Sequence, residues 1–133
     1  MLNSKTAFTG FSVDDTDAAK TFYVNVLGLS LEDEKMGLVF RLPGISGGKI
    51  FIYEKKDHQP ANYTMLNFVV VNITEAVDAL MQAGVTCERY DMPGIVQDEK
   101  GIAWPPEGGN YGPPIAWFKD PAGNILSVLE DTN

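Results

Sequence analysis

The chain has 133 residues, 44% of them hydrophobic, and a formal net charge of −8. That length suits one domain with its own core, the hydrophobic share argues against disorder, and the acidic balance argues against nucleic acid, whose phosphates need a basic surface. The single cysteine, Cys87, leaves no internal disulfide and fits a reducing compartment.

The opening "MLNSKTAFTG" carries neither the basic start nor the apolar run of a secretion signal. No apolar stretch approaches the roughly 18 residues of a membrane span. The expectation is a soluble cytoplasmic protein that engages no membrane. "AFTGFSVDD" then alternates as a strand, with Thr9, Phe11 and Val13 on one face and Phe8, Gly10 and Ser12 on the other. In "TDAAKTFYVNVLG" the apolar residues Ala18, Ala19, Phe22, Tyr23, Val26 and Leu27 recur at helical spacing. Asp15 or Thr16 can cap that helix and Gly28 can close it. Strands follow at 29–33, at 38–42 and at "KIFIYE" (Lys49–Glu54), the last two joined by a Gly-rich turn over 43–48.

From Thr64 the order recurs. "TMLNFVVVNITEAVDALMQAGV" reads as strand, cap, helix and glycine, with Asn72 and Glu75 at capping-box spacing. Phe68 stands to Val70 as Phe11 stands to Val13. "VTCERY", "IAWFKD" and "ILSVLE" complete a second set of strands, and the last aligns with "KIFIYE" position by position. The chain therefore contains two βαβββ units, about 5–56 and about 63–131. The second carries a longer Gly- and Pro-rich excursion over 91–114, with Trp104 and Tyr111, and a loop of that length is usually either functional or disordered.

A repeated βαβββ unit with "FYVNVLGL" near its start and "DPAGNILSVLE" at its close resembles the vicinal oxygen chelate superfamily. That superfamily holds glyoxalase I, extradiol dioxygenases, fosfomycin resistance enzymes and bleomycin resistance proteins. The resemblance covers nearly the whole chain. It implies a single α+β domain in which both units build a curved, cup-like mixed sheet with the helices outside, and it implies a homodimer. It also implies where a divalent metal would be held, on the first and last strands of each unit. Those positions fall on Phe8, Phe51, Met65 and Ser127. None offers the imidazole, carboxylate or thiolate that such an ion requires, and no metal or other cofactor is expected.

His58 sits in the polar loop "EKKDHQP" and reads as a surface residue. Cys87 reads as a buried small hydrophobe, and Glu54 and Glu130 as solvated strand ends on the helix side. No residue is assigned a catalytic role. By alternation the cup face includes Phe8, Gly10, Phe51, Tyr53, Met65, Asn67, Ser127 and Leu129. Trp104 and Tyr111 could close over it, and Trp117 could line it. Apolar walls with a few placed polar groups suit a ligand pocket. The residues therefore point to metal-independent binding of an apolar or aromatic small molecule, through Phe8, Phe51, Tyr53, Met65, Asn67, Trp104, Tyr111, Trp117 and Ser127. Two alternatives stand beside it. One is a glyoxalase-like lyase, isomerase or dioxygenase-type enzyme with a non-standard site. The other is a structural or regulatory dimeric module whose cup is filled.

Overall fold

The computed structural model describes residues 1–44, 47–106 and 112–131. Tyr111 lies outside them. The chain forms two compact units, Met1–Pro60 and Ala61–Asn133. Each is an α+β assembly of one sheet and one helical element, as the alternating and helical periodicities require.

In the first unit, β1 (Thr9–Val13) runs parallel to β4 (Lys49–Glu54), which runs antiparallel to β3 (Leu38–Arg41), which pairs with β2 (Ser30–Asp33). The sheet order is β1-β4-β3-β2. Helix α1 (Thr16–Thr21) is capped by Asp15, whose carboxylate accepts the Ala18 N–H at 3.1 Å. The expected continuous helix changes at this point. Phe22–Val26 is a π-helical turn, with Leu27 N–H bonded five residues back to the Phe22 carbonyl at 3.1 Å. The wider turn lets two successive large side chains, Phe22 and Tyr23, both reach the core. Tyr23 is fully buried between Phe11 and Phe40, at 6.1 and 5.7 Å between ring centroids. Gly28, at φ +72°, then reverses the chain. One sheet face (Phe11, Val13, Leu38, Phe40, Ile50 and Ile52) is buried under this helical segment. The opposite face carries Gly10, Ser12, Val39, Phe51 and Tyr53.

In the second unit, β5 (Thr64–Val70) runs parallel to β7 (Ile125–Glu130), and β6 (Ile115–Lys119) runs antiparallel to β7. Helix α2 (Ile73–Gln82) packs Ile73, Val77 and Leu80 inward, beneath a buried face that includes Ala116, Phe118, Leu126 and Val128. Asn72 caps it through Glu75 N–H at 3.0 Å, as the spacing indicates. Glu130 departs from its reading as a solvated strand end. It is half-buried, and its carboxylate accepts Ile73 N–H at 3.1 Å, placing an anion at the start of α2. Another departure is the expected strand at 85–90, which forms no ladder. It lies along β6 through Glu88 N–H to the Trp117 carbonyl at 2.7 Å. Among the described residues, no helix is long and apolar enough to cross a membrane.

Candidate functional site

The open face of the first sheet is aromatic. Phe8 is 69% exposed and stands edge-on to Phe51, with ring centroids 6.4 Å apart at 88°. Phe51 is half-buried and stacks on Tyr53 at 5.7 Å and 22°. Two glycines make room for Phe51. A Cβ on Gly10 would lie 2.9 Å from the Phe51 carbonyl oxygen, and one on Gly37 would lie 2.7 Å from the edge of the Phe51 ring. A groove of about 690 Å³ runs over this face. Its apolar walls include Phe8, Met36, Val39 and Phe51, and Asp33, Lys35 and Lys49 line it as well. That volume is in the range of small-molecule pockets. Tyr53 does not line this groove. It borders a neighbouring one with Met36 and Gly37.

Next to Tyr53 in the register is Ser12, whose hydroxyl lies 2.6 Å from Nδ1 of His58. His58 is thus half-buried rather than a free surface residue. Loop polarity gave no hint of this contact, which depends on the chain folding back after β4.

The second unit brings together a different set. Ser127 is fully buried at the middle of the central strand and donates to the Asn67 side-chain oxygen at 2.5 Å. Trp117 is its register partner on the other side. Tyr90 meets Trp117 edge-on at 5.5 Å, and its hydroxyl is buried without a hydrogen-bond partner among the described residues. Burial pushes the Tyr90 phenol up, with Glu88 adding to the effect. Tyr90 is not legible as a site residue in the sequence. Its only signal is position, three residues beyond the buried Cys87 in a stretch expected to be a regular strand. A bulge falls at Met65, because Thr64 pairs with Ile125 and Leu66 with Leu126. Met65 therefore has no partner in the ladder, whereas simple alternation aligns it with Asn67.

Trp104 is tied down by its indole N–H, which donates to Asp98 at 2.9 Å. The same carboxylate accepts the backbone N–H groups of Lys100 and Ile102, each at 2.9 Å. Gln97 bridges across to Tyr90 N–H and to the carbonyls of Glu88 and Gly101. The excursion is thus built, in its described part, around two side chains. Burial raises the Asp98 carboxyl. The Trp104 indole, the two backbone donors and the Arg89 charge outweigh that effect and hold it below its usual 3.8. A carboxyl depressed in the folded state stabilises above the unfolded value and loses that contribution as pH falls through the folded one. Asp98→Asn should therefore melt below the parent protein at neutral pH, and the gap should narrow on acidification below pH 3.8. A gap independent of pH would show that the carboxylate charge is not what holds the turn.

A small α+β chain of two units, each a sheet covered on one face by a helical element, defines the structural class. The model of the Glyoxalase/Bleomycin resistance protein/Dioxygenase superfamily matches residues 6–128, and the chain belongs to that superfamily. Solved structures agree on the fold. A superfamily member from Sphaerobacter thermophilus is 23% identical, with TM-score 0.66 over 98% of this chain and 100% of that one. The fosfomycin resistance protein FosX from Listeria monocytogenes is 16% identical, with TM-score 0.67 over 98% of this chain and 96% of its own. TnmS3, an antibiotic binding protein from Streptomyces sp. CB03234, is 16% identical, with TM-score 0.65 over 99% and 100%. No curated protein matches the sequence.

The metal positions implied by the family do not fit a divalent ion in this chain. Phe8 and Phe51 pack ring against ring. Ser127 spends its hydroxyl proton on Asn67, and Met65 offers a soft thioether. Among the described residues, no group of three His, Cys, Asp or Glu side chains gathers anywhere.

Proposed function

We propose that this protein binds an apolar or aromatic small molecule without a metal ion, to sequester or carry it. The observation that carries this reading is the open groove of about 690 Å³ walled by Phe8 and Phe51, two of the positions where the family resemblance would put metal ligands. Covering about 250 Å² of such surface contributes roughly 6 kcal/mol before association costs, enough for millimolar to micromolar affinity. In this reading Tyr53, stacked on Phe51 on the same sheet face, contributes a further contact at the edge of the groove. The protein works in the cytoplasm as a homodimer, and neither nucleic acid nor a membrane is its partner. The likeness in fold to FosX, a fosfomycin resistance protein, and to TnmS3, an antibiotic binding protein, is in keeping with this reading.

Two measurements test it together. Protein purified without chelators should contain far less than stoichiometric Zn, Ni, Mn or Fe, and EDTA should leave its melting temperature unchanged. A panel of aromatic compounds should raise that temperature. Stoichiometric metal, or a panel with no effect, overturns the reading. The enzymatic alternative gains one specific observation, the contact between Ser12 and His58. Turnover of a glyoxalase-type substrate that is lost in His58→Gln would favour it.

A further inference from the structure

The groove of the first unit has a charge opposite to that of the whole protein. The chain carries −8, which would favour a cationic ligand at long range. At the groove the balance differs. Glu32 sits between two cations, with Arg41 Nε at 2.6 Å and Lys49 Nζ at 3.0 Å. Hydrogen bonds from Lys49 and then Arg41 hold the Glu32 carboxyl below its usual range, so it is ionised at neutral pH. Two cations around one carboxylate leave one positive charge in excess. The other charged residues lining the groove, Asp33 and Lys35, offset each other. Among the residues that line the groove, Lys35 and Lys49 outnumber Asp33 by one, so an excess positive charge is presented there. Lys49 is also the register neighbour of Arg41 and lies two residues before Phe51, so Lys49 and Phe51 share a sheet face and both line the groove. Distant acidic residues act weakly at this point, because exposed charges are screened beyond about 8 Å at physiological salt.

We propose that this groove takes a planar aromatic compound bearing one anionic group, with the ring against Phe51 and Phe8 and the anion at Lys49. The proposal rests on the small-molecule reading above and adds to it the class of ligand. A carboxylate, sulfonate or phenolate would serve equally, since each supplies an anionic oxygen to an ammonium.

Three probes that share one ring system test it by equilibrium dialysis: 2-naphthoate, 2-naphthamide and 2-naphthylmethylammonium. The anion should bind about tenfold tighter than the amide, the factor supplied by roughly 1.4 kcal/mol from one charge-assisted hydrogen bond. The ammonium should bind weakest, and the preference should shrink in about 1 M salt. Lys49→Met keeps the aliphatic stem and removes the charge. It should bring the naphthoate affinity down to that of the amide and leave the amide unchanged. Equal binding of all three probes, a preference for the ammonium, or an equal loss of all three in Lys49→Met overturns the proposal and leaves the small-molecule reading standing. Failure of every probe to bind the unaltered protein overturns both.

Discussion

Phe51→Ala should weaken binding of a neutral planar probe such as 2-naphthamide by about 30-fold or more. The ring is the centre of the aromatic face, edge-on to Phe8 and stacked on Tyr53. Removing it takes away about 90 Å² of apolar contact for a stacked ligand, worth roughly 2 kcal/mol. The fold should survive. Phe51 is half-buried and points away from the helix-covered core formed by Phe11, Phe40 and Ile52. The stability cost should therefore stay below the roughly 3–5 kcal/mol of a fully buried phenylalanine. Phe51→Leu keeps much of the apolar area but loses the flat ring, and should fall between the two. A dissociation constant from dialysis, with a thermal melt alongside, decides the matter. A loss under about threefold at unchanged stability would mean that the ligand sits elsewhere. The face of the second unit around Asn67, Ser127 and Trp117 would then be the next place to look.

The features that were legible in the sequence are those set by local periodicity. Alternation alone separated Phe11 and Val13 from Gly10 and Ser12, because a strand with one covered face has a period of two. The caps at Asp15 and Asn72 were legible because few side chains satisfy the free N–H groups of a helix start. Features that depend on distant partners were not legible. The ring of His58 meets Ser12 across 46 residues, and Glu130 reaches Ile73 across 57. The bulge at Met65 shows only in the pairing of β5 with β7, so alternation within β5 could not detect it. The π-helical turn keeps a sequence spacing that a regular helix fits equally well. At the groove, Phe8 and Phe51 followed from alternation along their strands, but Val39, Met36 and Lys49 required knowing which strand lies beside which. The positive excess there runs against the composition. A net charge is a sum over the surface, whereas a ligand meets the few residues within a screening length.

Asp120→Ala should cost about 3 kcal/mol of stability and lower the melting temperature by about 10 °C. Asp120 opens the Asp-Pro-Ala-Gly-Asn turn and is buried. One of its carboxylate oxygens accepts the N–H groups of Ala122 and Asn124, each at 2.9 Å. The other accepts the Asn124 side-chain amide at 3.0 Å. The backbone closes the same turn, Asp120 N–H to the Asn124 carbonyl and Gly123 N–H to the Asp120 carbonyl, both at 3.0 Å. Gly123 adopts φ +86°, which a side chain would strain. Alanine removes at least these three acceptor contacts at once, one of them to the side chain of Asn124, which is 1% exposed. Hydrogen bonds to a charged acceptor contribute more than neutral ones, so their loss is felt in full. Asp120→Asn keeps one oxygen acceptor and should lose about half as much. The effect should extend beyond stability. This turn sets the pairing of β6 with β7, and that pairing places Trp117 opposite Ser127. A slip of one residue would send the Trp117 side chain to the opposite face. Denaturant unfolding with an unchanged slope, together with the loss of the Trp117 fluorescence signature, would confirm both parts. A loss below about 1 kcal/mol would show that water replaces the carboxylate and that the backbone bonds alone hold the register.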